Sequence, residues 1–346
     1  MGSEPWDVVI VGGGAAGCAA AIHLPAGVRA LLVDRGDPAA GRCCGGLLNP
    51  DAQRTLAQRG LAVPETVRVR PEPQVVHALD LDAGRTQTYR RAYWNLDRAR
   101  FDAWLLGRAA ERVTLRLHAR VVGLRTDGTG LAVGLASADG DETIRTRRVI
   151  GADGAGSRVR RLAFPDRPAP PVMTAIQVRL PPAAGLDRHE VLFASRLTTY
   201  YAWAIPKPDG VLVGAAFSRL QGMRDRFAEI LAHFRERLDL AGEERERSAR
   251  RLTRPERASH VLAGSGRVLL AGEAAGLVSP SSGEGLSFAV ESGAAAGAAL
   301  SRPEPEVVYR RTFEPLAKRI GRKRLKARVI FSPTLRRWAL RLPWCP

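Results

Sequence analysis

Lysine is scarce in this strongly basic chain of 346 residues. Only Lys207, Lys318, Lys323 and Lys326 occur among the 53 basic residues, the other 49 being arginines, and with 35 acidic residues the net charge is +18. A charge of this size favours acidic partners such as phosphorylated ligands or anionic lipid headgroups. The arginines are dispersed and no nucleic-acid recognition motif occurs, so we expect no nucleic-acid partner.

Cysteine, histidine and long apolar runs are also limited. The four cysteines, Cys18, Cys43, Cys44 and Cys345, fit neither a zinc site nor a disulfide framework, which predicts free thiols in a reducing compartment. The six histidines are scattered, so we expect no metal site and interpret each histidine as structural or solvated. No run reaches the ~18 apolar residues of a membrane span, and the first, Val8 to Val11, is too short for a secretory signal. We therefore expect a cytoplasmic protein.

A glycine-rich fingerprint lies near the N-terminus. The apolar run from Asp7 to Val11 predicts a buried parallel strand, and the run from Cys18 to Leu24 predicts a helix. Between them lie six small residues: Gly12, Gly13, Gly14, Ala15, Ala16 and Gly17. In this G-x-G-x-x-G pattern Gly12 permits a tight turn, Gly14 lets the backbone approach a pyrophosphate, and Gly17 lets the helix pack closely on the strand. The pattern predicts a dinucleotide bound at the helix N-terminus; a glycine-rich turn without a nucleotide is the alternative.

An acidic residue completes the fingerprint. A second strand is predicted from Val28 to Val33, and it ends in Asp34, 22 residues after Gly12, where a carboxylate can accept hydrogen bonds from an adenosine ribose. We include Arg35, the next residue, in the predicted site. NAD and FAD both use this fingerprint, so later segments must distinguish them.

The later segments again place turns after apolar strands. Residues Asn95 to Asp102 open a helix, and strands rich in Val and Leu between 113 and 150 lead into Gly151 to Arg160. The buried run Val268 to Ala271 leads into the turn Gly272-Glu273-Ala274-Ala275-Gly276. A glycine-rich loop at 280–285 then precedes a helix of small residues at 286–300. Gly283 and Gly285 allow the backbone to lie flat against a planar ring.

In this order, the segments resemble FAD-dependent oxidoreductases of the para-hydroxybenzoate hydroxylase fold, and within them the geranylgeranyl reductase family and its bacterial relatives. Cys44-Gly45-Gly46 is similar to the family's C-G-G segment, and residues 201–206 to its Y-x-W-x-F-P segment with Ile205 for Phe. Residues 272–276 are similar to G-D-A-A-G with Glu273 for Asp, and residues 283–293 to G-E-G-I-x-x-A-x-x-S-G. The resemblance implies an α/β fold: a Rossmann-like FAD-binding domain, an interleaved antiparallel substrate sheet and a C-terminal helical tail.

The resemblance also implies a cofactor site. Arg42 and Arg98 would lie along FAD, Asp153 near the cofactor and a bound pyridine nucleotide, and Glu273 at the ribityl or pyrophosphate region. The remaining implied contacts are Cys44, Gly45, Gly46, Gly272, Gly276, Gly283 and Gly285. For Asp153 the alternative is a simple hairpin or helix cap. The turn that holds Glu273 is expected to begin a helix and the side chain to cap it.

Three residues are candidates for the chemistry itself. Cys44 is a candidate proton donor beside the flavin, with packing as a small buried thiol as the alternative. Period-two alternation places Tyr201, Trp203 and Ile205 on one strand face, where the two aromatic residues would wall a hydrophobic pocket; ordinary sheet packing is the alternative. This segment also resembles the W-x-W-x-I-P signature of flavin-dependent halogenases. Those enzymes need a lysine earlier in the chain, and none precedes Lys207, so we do not expect halogenation.

Reduction is the expected reaction. Aromatic hydroxylases of this fold commonly carry G-D-A-A-H, whereas this chain ends the segment in Gly276, which favours hydride transfer to a C=C bond of a hydrophobic, isoprenoid or lipid-like substrate. Hydroxylation of an aromatic or polyketide-like substrate and a non-catalytic flavin module are the alternatives. No second G-x-G-x-x-G follows a strand, so NAD(P)H is expected to bind transiently as electron donor.

The positions of these motifs divide the chain into three regions. We assign 1–64, 96–164 and 259–302 to the FAD-binding domain and 65–95 and 165–258 to a substrate domain. Residues 303–346 form a basic amphipathic tail ending in Trp338 and Trp344. The tail predicts peripheral contact with an anionic membrane or binding of a diphosphate; a helix pair packed on the core is the alternative.

Overall fold

Two β-sheets organise the protein. The computed structural model describes residues 4–37 and 43–339. The first sheet has eight strands, in the order β16-β17-β10-β1-β2-β7, with β9 pairing β10 and β8 pairing β9. Its strands are β1 (Trp6–Val11), β2 (Ala30–Val33), β7 (Thr114–Arg116), β8 (Arg120–Asp127), β9 (Gly130–Ser137), β10 (Gly140–Gly151), β16 (Gly264–Ser265) and β17 (Val268–Leu270).

The centre of this sheet is parallel and buried. Strand β1 pairs with β2 and β10 in parallel, and Val8 to Val11 are buried on both faces, as a continuous β-branched run predicts. Strand β10 also pairs with β17 in parallel. The parallel sheet confirms the expected α/β fold class.

The second sheet covers one side of the first domain. It has seven strands, in the order β15-β11-β14-β13-β12-β4-β5, and every pairing except that of β12 with β4 is antiparallel. Its strands are β4 (Val75–Asp80), β5 (Arg85–Arg90), β11 (Val172–Leu180), β12 (His189–Phe193), β13 (Ala202–Lys207), β14 (Gly210–Phe217) and β15 (Glu246–Thr253). A separate two-stranded ladder is formed by β3 (Leu47–Leu48) and β6 (Trp94–Asn95). In the chain, β3 precedes β4 and β6 follows β5.

Helices cover the sheets. They are α1 (Ala15–Ile22), α2 (Pro50–Gln58), α3 (Arg98–Ala110), α4 (Arg158–Ala163), α5 (Met223–Leu238), α6 (Leu286–Ala299), α7 (Pro305–Ile330) and α8 (Pro333–Ala339). Helices α1 and α6 pack backbone to backbone, because a β-carbon on Gly293 would lie 2.1 Å from the Ala16 carbonyl oxygen and one on Gly297 2.2 Å from that of Ala20. Helix α5 packs Phe227, Ile230 and Phe234 onto one face of the second sheet. The other face of that sheet remains available for a site.

The C-terminal helices pack on the core. The buried side of α7 includes Tyr309, Phe313, Leu316 and Ile320, and the Tyr309 hydroxyl donates to the Leu270 carbonyl oxygen at 2.6 Å. These contacts correspond to the helix-pair alternative for the tail. Trp338 is 64% exposed, while Trp344 lies outside the described residues.

Candidate functional site

The glycine fingerprint forms the predicted strand, turn and helix. Gly12 adopts a φ of +107°, and a β-carbon there would lie 2.4 Å from the Ala152 carbonyl oxygen. Gly17 must also be glycine, since its β-carbon would lie 1.8 Å from the Gly12 carbonyl oxygen. Gly14 is the N-cap of α1 and supplies no side-chain cap, which leaves the helix N-terminus to an anion.

The acidic residue stands at the tip of the glycine turn. The Asp34 carboxylate accepts hydrogen bonds from the backbone N–H groups of Gly13, at 2.6 Å, and Gly36, at 3.0 Å. Arg35 is exposed beside it. Ala15 and Ala16 form the first turn of α1, and Arg42 lies outside the described residues.

The second glycine turn differs from its expected form. Residues Gly272 to Ala275 form a short 3-10 helix without a side-chain cap, so the expected capping role of Glu273 is wrong. The Glu273 carboxylate instead accepts from the backbone N–H of Thr253, at 2.6 Å, and from its hydroxyl, at 3.0 Å. The longer glutamate arm reaches across to the end of β15. Burial raises the pKa of this carboxyl despite those hydrogen bonds.

Asp153 makes the contacts of a helix cap. Its carboxylate accepts from the Ser157 hydroxyl and from the N–H groups of Arg158, at 2.6 Å, and Val159, at 3.1 Å, at the start of α4. The helix-cap alternative therefore describes its observed contacts. Contact with a pyridine nucleotide stays a prediction.

A cavity of about 400 Å³ separates the first domain from the free face of the second sheet. The loop Cys43 to Gly46 and the loop Ser281 to Leu286 border it from the first domain. Arg98 and Glu273 line it too, whereas the described glycines of the N-terminal fingerprint do not. The cavity thus gathers Cys44, Gly45, Gly46, Arg98, Glu273, Gly283 and Gly285 from three distant parts of the sequence.

The Cys44 sulfur lies in a positive environment. Burial alone would raise the pKa of the Cys44 thiol, but the Arg98 guanidinium and the N–H of Gly46 outweigh it and lower the pKa. Arg98 donates to both oxygens of the Asp102 carboxylate, at 2.9 and 3.1 Å, and its charge acts on the Cys44 sulfur. A thiol pKa brought nearer to neutrality suits proton transfer.

Lys207 is a part of this site that sequence reasoning missed. Its Nζ atom donates to Asn95 Oδ1, at 2.5 Å, and to the Leu96 carbonyl oxygen, at 3.1 Å. A β-carbon on Gly46 would lie 2.8 Å from this Nζ atom, so Lys207 stands directly behind the Cys44–Gly46 loop. Burial lowers the pKa of Lys207 to about 7. The scarcity of lysine in the chain was the available signal.

The second sheet supplies an aromatic wall. Tyr201, Trp203 and Ile205 line the cavity, as the alternation predicts, although β13 itself begins at Ala202. Trp203 pairs with Gly214 on the next strand, and its indole lies over that glycine, because a β-carbon there would be 2.5 Å from indole carbon Cε2. The Tyr201 hydroxyl donates to the Ser282 carbonyl oxygen at 2.6 Å. The wall is thereby joined to the glycine-rich loop.

Several residues that line the cavity carry buried polar atoms with unused hydrogen-bonding capacity. Among the described residues, buried polar atoms without a hydrogen-bond partner include Arg98 Nε, Arg91 Nε, Gln177 Oε1, Trp203 Nε1 and both ring nitrogens of His189. All five residues line the cavity. Burial lowers the pKa of His189 to about 3, so this ring is neutral. His189 is buried and packs edge-on against Tyr93, as expected of a structural histidine, but neither ring nitrogen has a hydrogen-bond partner.

These features fit an FAD cofactor. The N-termini of α1 and α6, at Gly14 and Gly285, both lack a side-chain cap, and the unpartnered Nε of Arg98 faces the cavity between them and the sheet. Anionic groups are stabilised at such helix ends. The residues present can hold a dinucleotide at α1 and a planar ring at the Ser281–Leu286 loop.

A second cavity of about 450 Å³ adjoins the first. Tyr89, Val191, Phe193 and Ile330 line both cavities, so these side chains form the partition. Arg336 borders the second cavity and forms hydrogen bonds with Asp80 at 2.6 and 2.9 Å. Helix α7 borders both cavities, through Lys323, Lys326 and Ile330 in the first and Val329 and Ile330 in the second. No described helix is both long and apolar enough to cross a membrane, and no cluster of metal ligands occurs among the described residues.

The sequence matches a protein-family model and a relative of similar length. A protein-family model described as an FAD binding domain matches residues 5–178. Protein CbrA of Escherichia coli (strain K12) is 31% identical over 347 residues, covering 98% of this chain and 97% of CbrA. The match over nearly the full length of both chains relates the sheet domain and the C-terminal helices as well as the fingerprint.

Solved structures share the fold. A geranylgeranyl bacteriochlorophyll reductase-like protein from Thermoplasma acidophilum superposes with a TM-score of 0.80 at 20% identity, covering 96% of this chain and 90% of that chain. PqsL of Pseudomonas aeruginosa, in complex with 2-aminobenzoylacetate, superposes with a TM-score of 0.75 at 17% identity, covering 98% of this chain and all of PqsL. At these identities the likeness shows the fold alone.

Proposed function

We propose a specific reaction from the premise that this chain belongs to the FAD binding domain family and is an FAD-dependent oxidoreductase. The proposed reaction is reduction of a C=C bond in a hydrophobic, isoprenoid or lipid-like substrate. Its substrate would lie in the cavity between the Cys44–Gly46 loop and the aromatic face of the second sheet. The likeness of the fold to a geranylgeranyl reductase-like protein supports this choice.

The observation that carries the proposal is the placement of Cys44. Cys44 lines the same cavity as Tyr201 and Trp203, and the charge of Arg98 lowers the pKa of its thiol, so a proton donor lies beside an aromatic surface. Addition of hydrogen across an alkene needs one hydride and one proton. Bound FAD, once reduced, supplies a hydride to one alkene carbon.

The residues of this chain would supply the proton and the surroundings. The Cys44 S–H bond breaks as its proton passes to the neighbouring alkene carbon, and the electron pair stays on sulfur. The Arg98 guanidinium and the Gly46 N–H then stabilise the thiolate, which regains a proton from water. Tyr201, Trp203 and Ile205 exclude water and hold the alkene against the Cys44 loop.

The electron donor in this proposal is NAD(P)H. The first sheet contains one fingerprint of the dinucleotide type, and FAD is assigned to it. The nicotinamide cofactor would therefore bind transiently at the cavity mouth. Its binding is tested by anaerobic reduction of the FAD with NADH and NADPH separately.

Aromatic hydroxylation is the second candidate. The unpartnered atoms of His189, Gln177 and Trp203 favour a substrate with hydrogen-bonding groups, which a simple polyene lacks. PqsL, which shares the fold, is known in complex with 2-aminobenzoylacetate, a polar aromatic compound. A hydroxylase would require oxygen for each turnover, whereas the proposed reductase would not.

Membrane contact is a separate part of the proposal. Leu325, Leu335 and Trp338 are exposed on α7 and α8 among arginines. Such a surface suits adsorption to anionic lipid. Co-sedimentation with phosphatidylglycerol vesicles at low salt tests it, and a protein that stays in the supernatant contradicts it.

The reaction is tested by product mass in deuterated buffer. Purified enzyme is given NADPH or NADH and geranylgeraniol, with and without oxygen. We expect a product heavier by two hydrogens, one of them deuterium, under both conditions. A product that gains oxygen from ¹⁸O₂ supports the hydroxylase instead, and no acceleration of NAD(P)H oxidation with either substrate class supports a non-catalytic flavin module.

A further inference from the structure

The few lysines of this chain are concentrated at the cavity. Arginine provides 49 of the 53 basic residues, yet two of the four lysines, Lys323 and Lys326, line the cavity from α7. A third, Lys207, stands behind the Cys44–Gly46 loop. Lys318 lies on the same helix, is exposed and does not line the cavity. Two of the four lysines therefore line the cavity, and a third lies behind a loop that borders it.

The two lysines belong to a cluster with excess positive charge. Arg91, the residue after β5, lies 3.4 Å from the Glu284 carboxylate, and its charge acts on Lys326 together with that of Lys323. Partial burial lowers the pKa of Lys326, and these two cations lower it further. Glu284 is the carboxylate of the group, and it also accepts hydrogen bonds from Asn49 and Ser282. The charges of Lys323, Arg91 and Glu284 all act on Lys326, so three cations and one carboxylate lie together.

The cluster adjoins apolar and aromatic side chains of the cavity. Ile330 lies one turn beyond Lys326 on α7 and forms part of the partition with the second cavity. Tyr89 on β5 and Tyr93, which follows that strand, also line the cavity. An apolar surrounding strengthens the attraction between these cations and an anion. Lysine offers a compact charge on a flexible stem, which can follow an anionic group in more than one position.

We propose that Lys323, Lys326 and Arg91 form an anion subsite that binds a carboxylate or phosphate group at one end of an otherwise hydrophobic substrate. The apolar part of that substrate extends from this subsite along the aromatic wall toward Cys44. The inference rests on the proposed function for the identity of the cavity as the substrate site. It adds that the substrate is an anionic amphiphile.

The subsite is tested by binding, without turnover. Oxidised holoenzyme is titrated with two matched pairs of probes, oleate against oleyl alcohol and farnesyl diphosphate against farnesol, and the FAD absorbance change reports binding. The pairs differ only in the head group, and they distinguish a carboxylate from a phosphate. The variants are Lys323→Met/Lys326→Met, the charge-retaining Lys323→Arg/Lys326→Arg, and the control Lys318→Met, since all three sites lie on α7.

We expect the anionic member of at least one pair to bind the wild type roughly tenfold or more tightly than its neutral partner, and this preference to weaken as salt screens the cations. The double Met variant should lose the preference, the double Arg variant should retain most of it, and Lys318→Met should leave it unchanged. Equal binding of both members of each pair by the wild type would overturn the subsite. So would a lack of any FAD absorbance change with all four probes.

Two further outcomes would also contradict the subsite. An equal loss of anionic and neutral probes in the double Met variant would mean that the lysines only support the wall. A weaker NADPH affinity in that variant, with oleate and farnesyl diphosphate unchanged, would assign the cations to the electron donor. The reaction can fail independently: anion-selective binding without alkene reduction would refute the proposed function and leave the subsite intact.

Discussion

The Arg98 guanidinium donates to both oxygens of the Asp102 carboxylate, at 2.9 and 3.1 Å, and its charge acts on the Cys44 thiol. Asp102 is buried in α3 and fixes the position of the arginine, and Arg98 in turn lowers the pKa of the thiol against the effect of burial. A buried cation shared by a carboxylate and a thiol is a rigid support for proton transfer. Replacement of Cys44 tests whether proton transfer depends on this arrangement.

Replacement of Cys44 should affect substrate reduction alone. In Cys44→Ala, FAD should stay bound and be reduced by NAD(P)H at an unchanged rate, because the fingerprint and Arg98 remain. Reduction of the alkene should slow by roughly 10²–10⁴-fold, the usual contribution of a general acid. The neighbouring Cys43→Ala is the control, since it removes the adjacent thiol, whose pKa is raised by burial. Equal rates of alkene reduction in the two variants would mean that Cys44 only packs against its neighbours and does not donate the proton.

Lys207 should make stability depend on pH in a defined direction. The folded protein releases the Lys207 proton at about pH 7, whereas an unfolded lysine holds it to about pH 10.5. Between these values the unfolded state binds more protons, so raising the pH favours the folded state. Relative to Lys207→Met, the wild-type free energy of unfolding should rise by up to about 1.4 kcal/mol per pH unit from pH 7 to pH 10.

Denaturant unfolding at several pH values measures this difference. Lys318→Met, at an exposed lysine, should show no such trend. A difference between wild type and Lys207→Met that stays constant with pH would contradict the buried environment of Lys207.

The aromatic wall should be sensitive to the residue beneath Trp203. In Gly214→Ala the new methyl group must displace the indole, because it would lie 2.5 Å from two indole carbons. We expect a stability loss of about 1–3 kcal/mol and weaker binding of geranylgeraniol, with FAD content unchanged. Gly123→Ala is the matched control, since a β-carbon at Gly123 in β8 has no neighbour within 4 Å. Unchanged probe binding in Gly214→Ala would argue against the wall as a substrate surface.

The fingerprint can be tested with a substitution that favours the helix. Serine is a strong N-cap residue, so Gly14→Ser should preserve or strengthen the start of α1. The same side chain would occupy the approach of the pyrophosphate, and the purified variant should contain little FAD. The FAD-to-protein absorbance ratio measures this, with the melting temperature of apoprotein as the folding control. Full FAD content in a folded variant would contradict the assignment of this loop.

Apolar pattern predicted much of the framework. The sequence predicts a helix of small residues at 286–300, and α6 begins at Leu286. Strand β15, Glu246–Thr253, was not predicted, because its exposed edge alternates charged residues instead of apolar ones. The glycine turn at Gly272 was expected to begin an α-helix, but α6 begins at Leu286 after a further loop.

The parts of the site missed by sequence reasoning depend on tertiary contacts. Lys207 reaches Asn95 and the back of Gly46 only after β13 is placed beside β6. The unpartnered nitrogens of His189 are visible only once the sheet faces the cavity. Motif spacing identifies residues that hold a cofactor, whereas the residues that face the second substrate come from a sheet with no such motif.

A single anaerobic turnover tests the central claim most directly. The FAD of the purified enzyme is reduced with one equivalent of dithionite, oxygen is excluded, and geranylgeraniol or geranylgeranyl diphosphate is added. We expect the yellow oxidised FAD to return and one double bond of the substrate to be saturated per FAD. An FAD that stays reduced until oxygen is admitted, and then yields a product carrying an added oxygen atom, would contradict it.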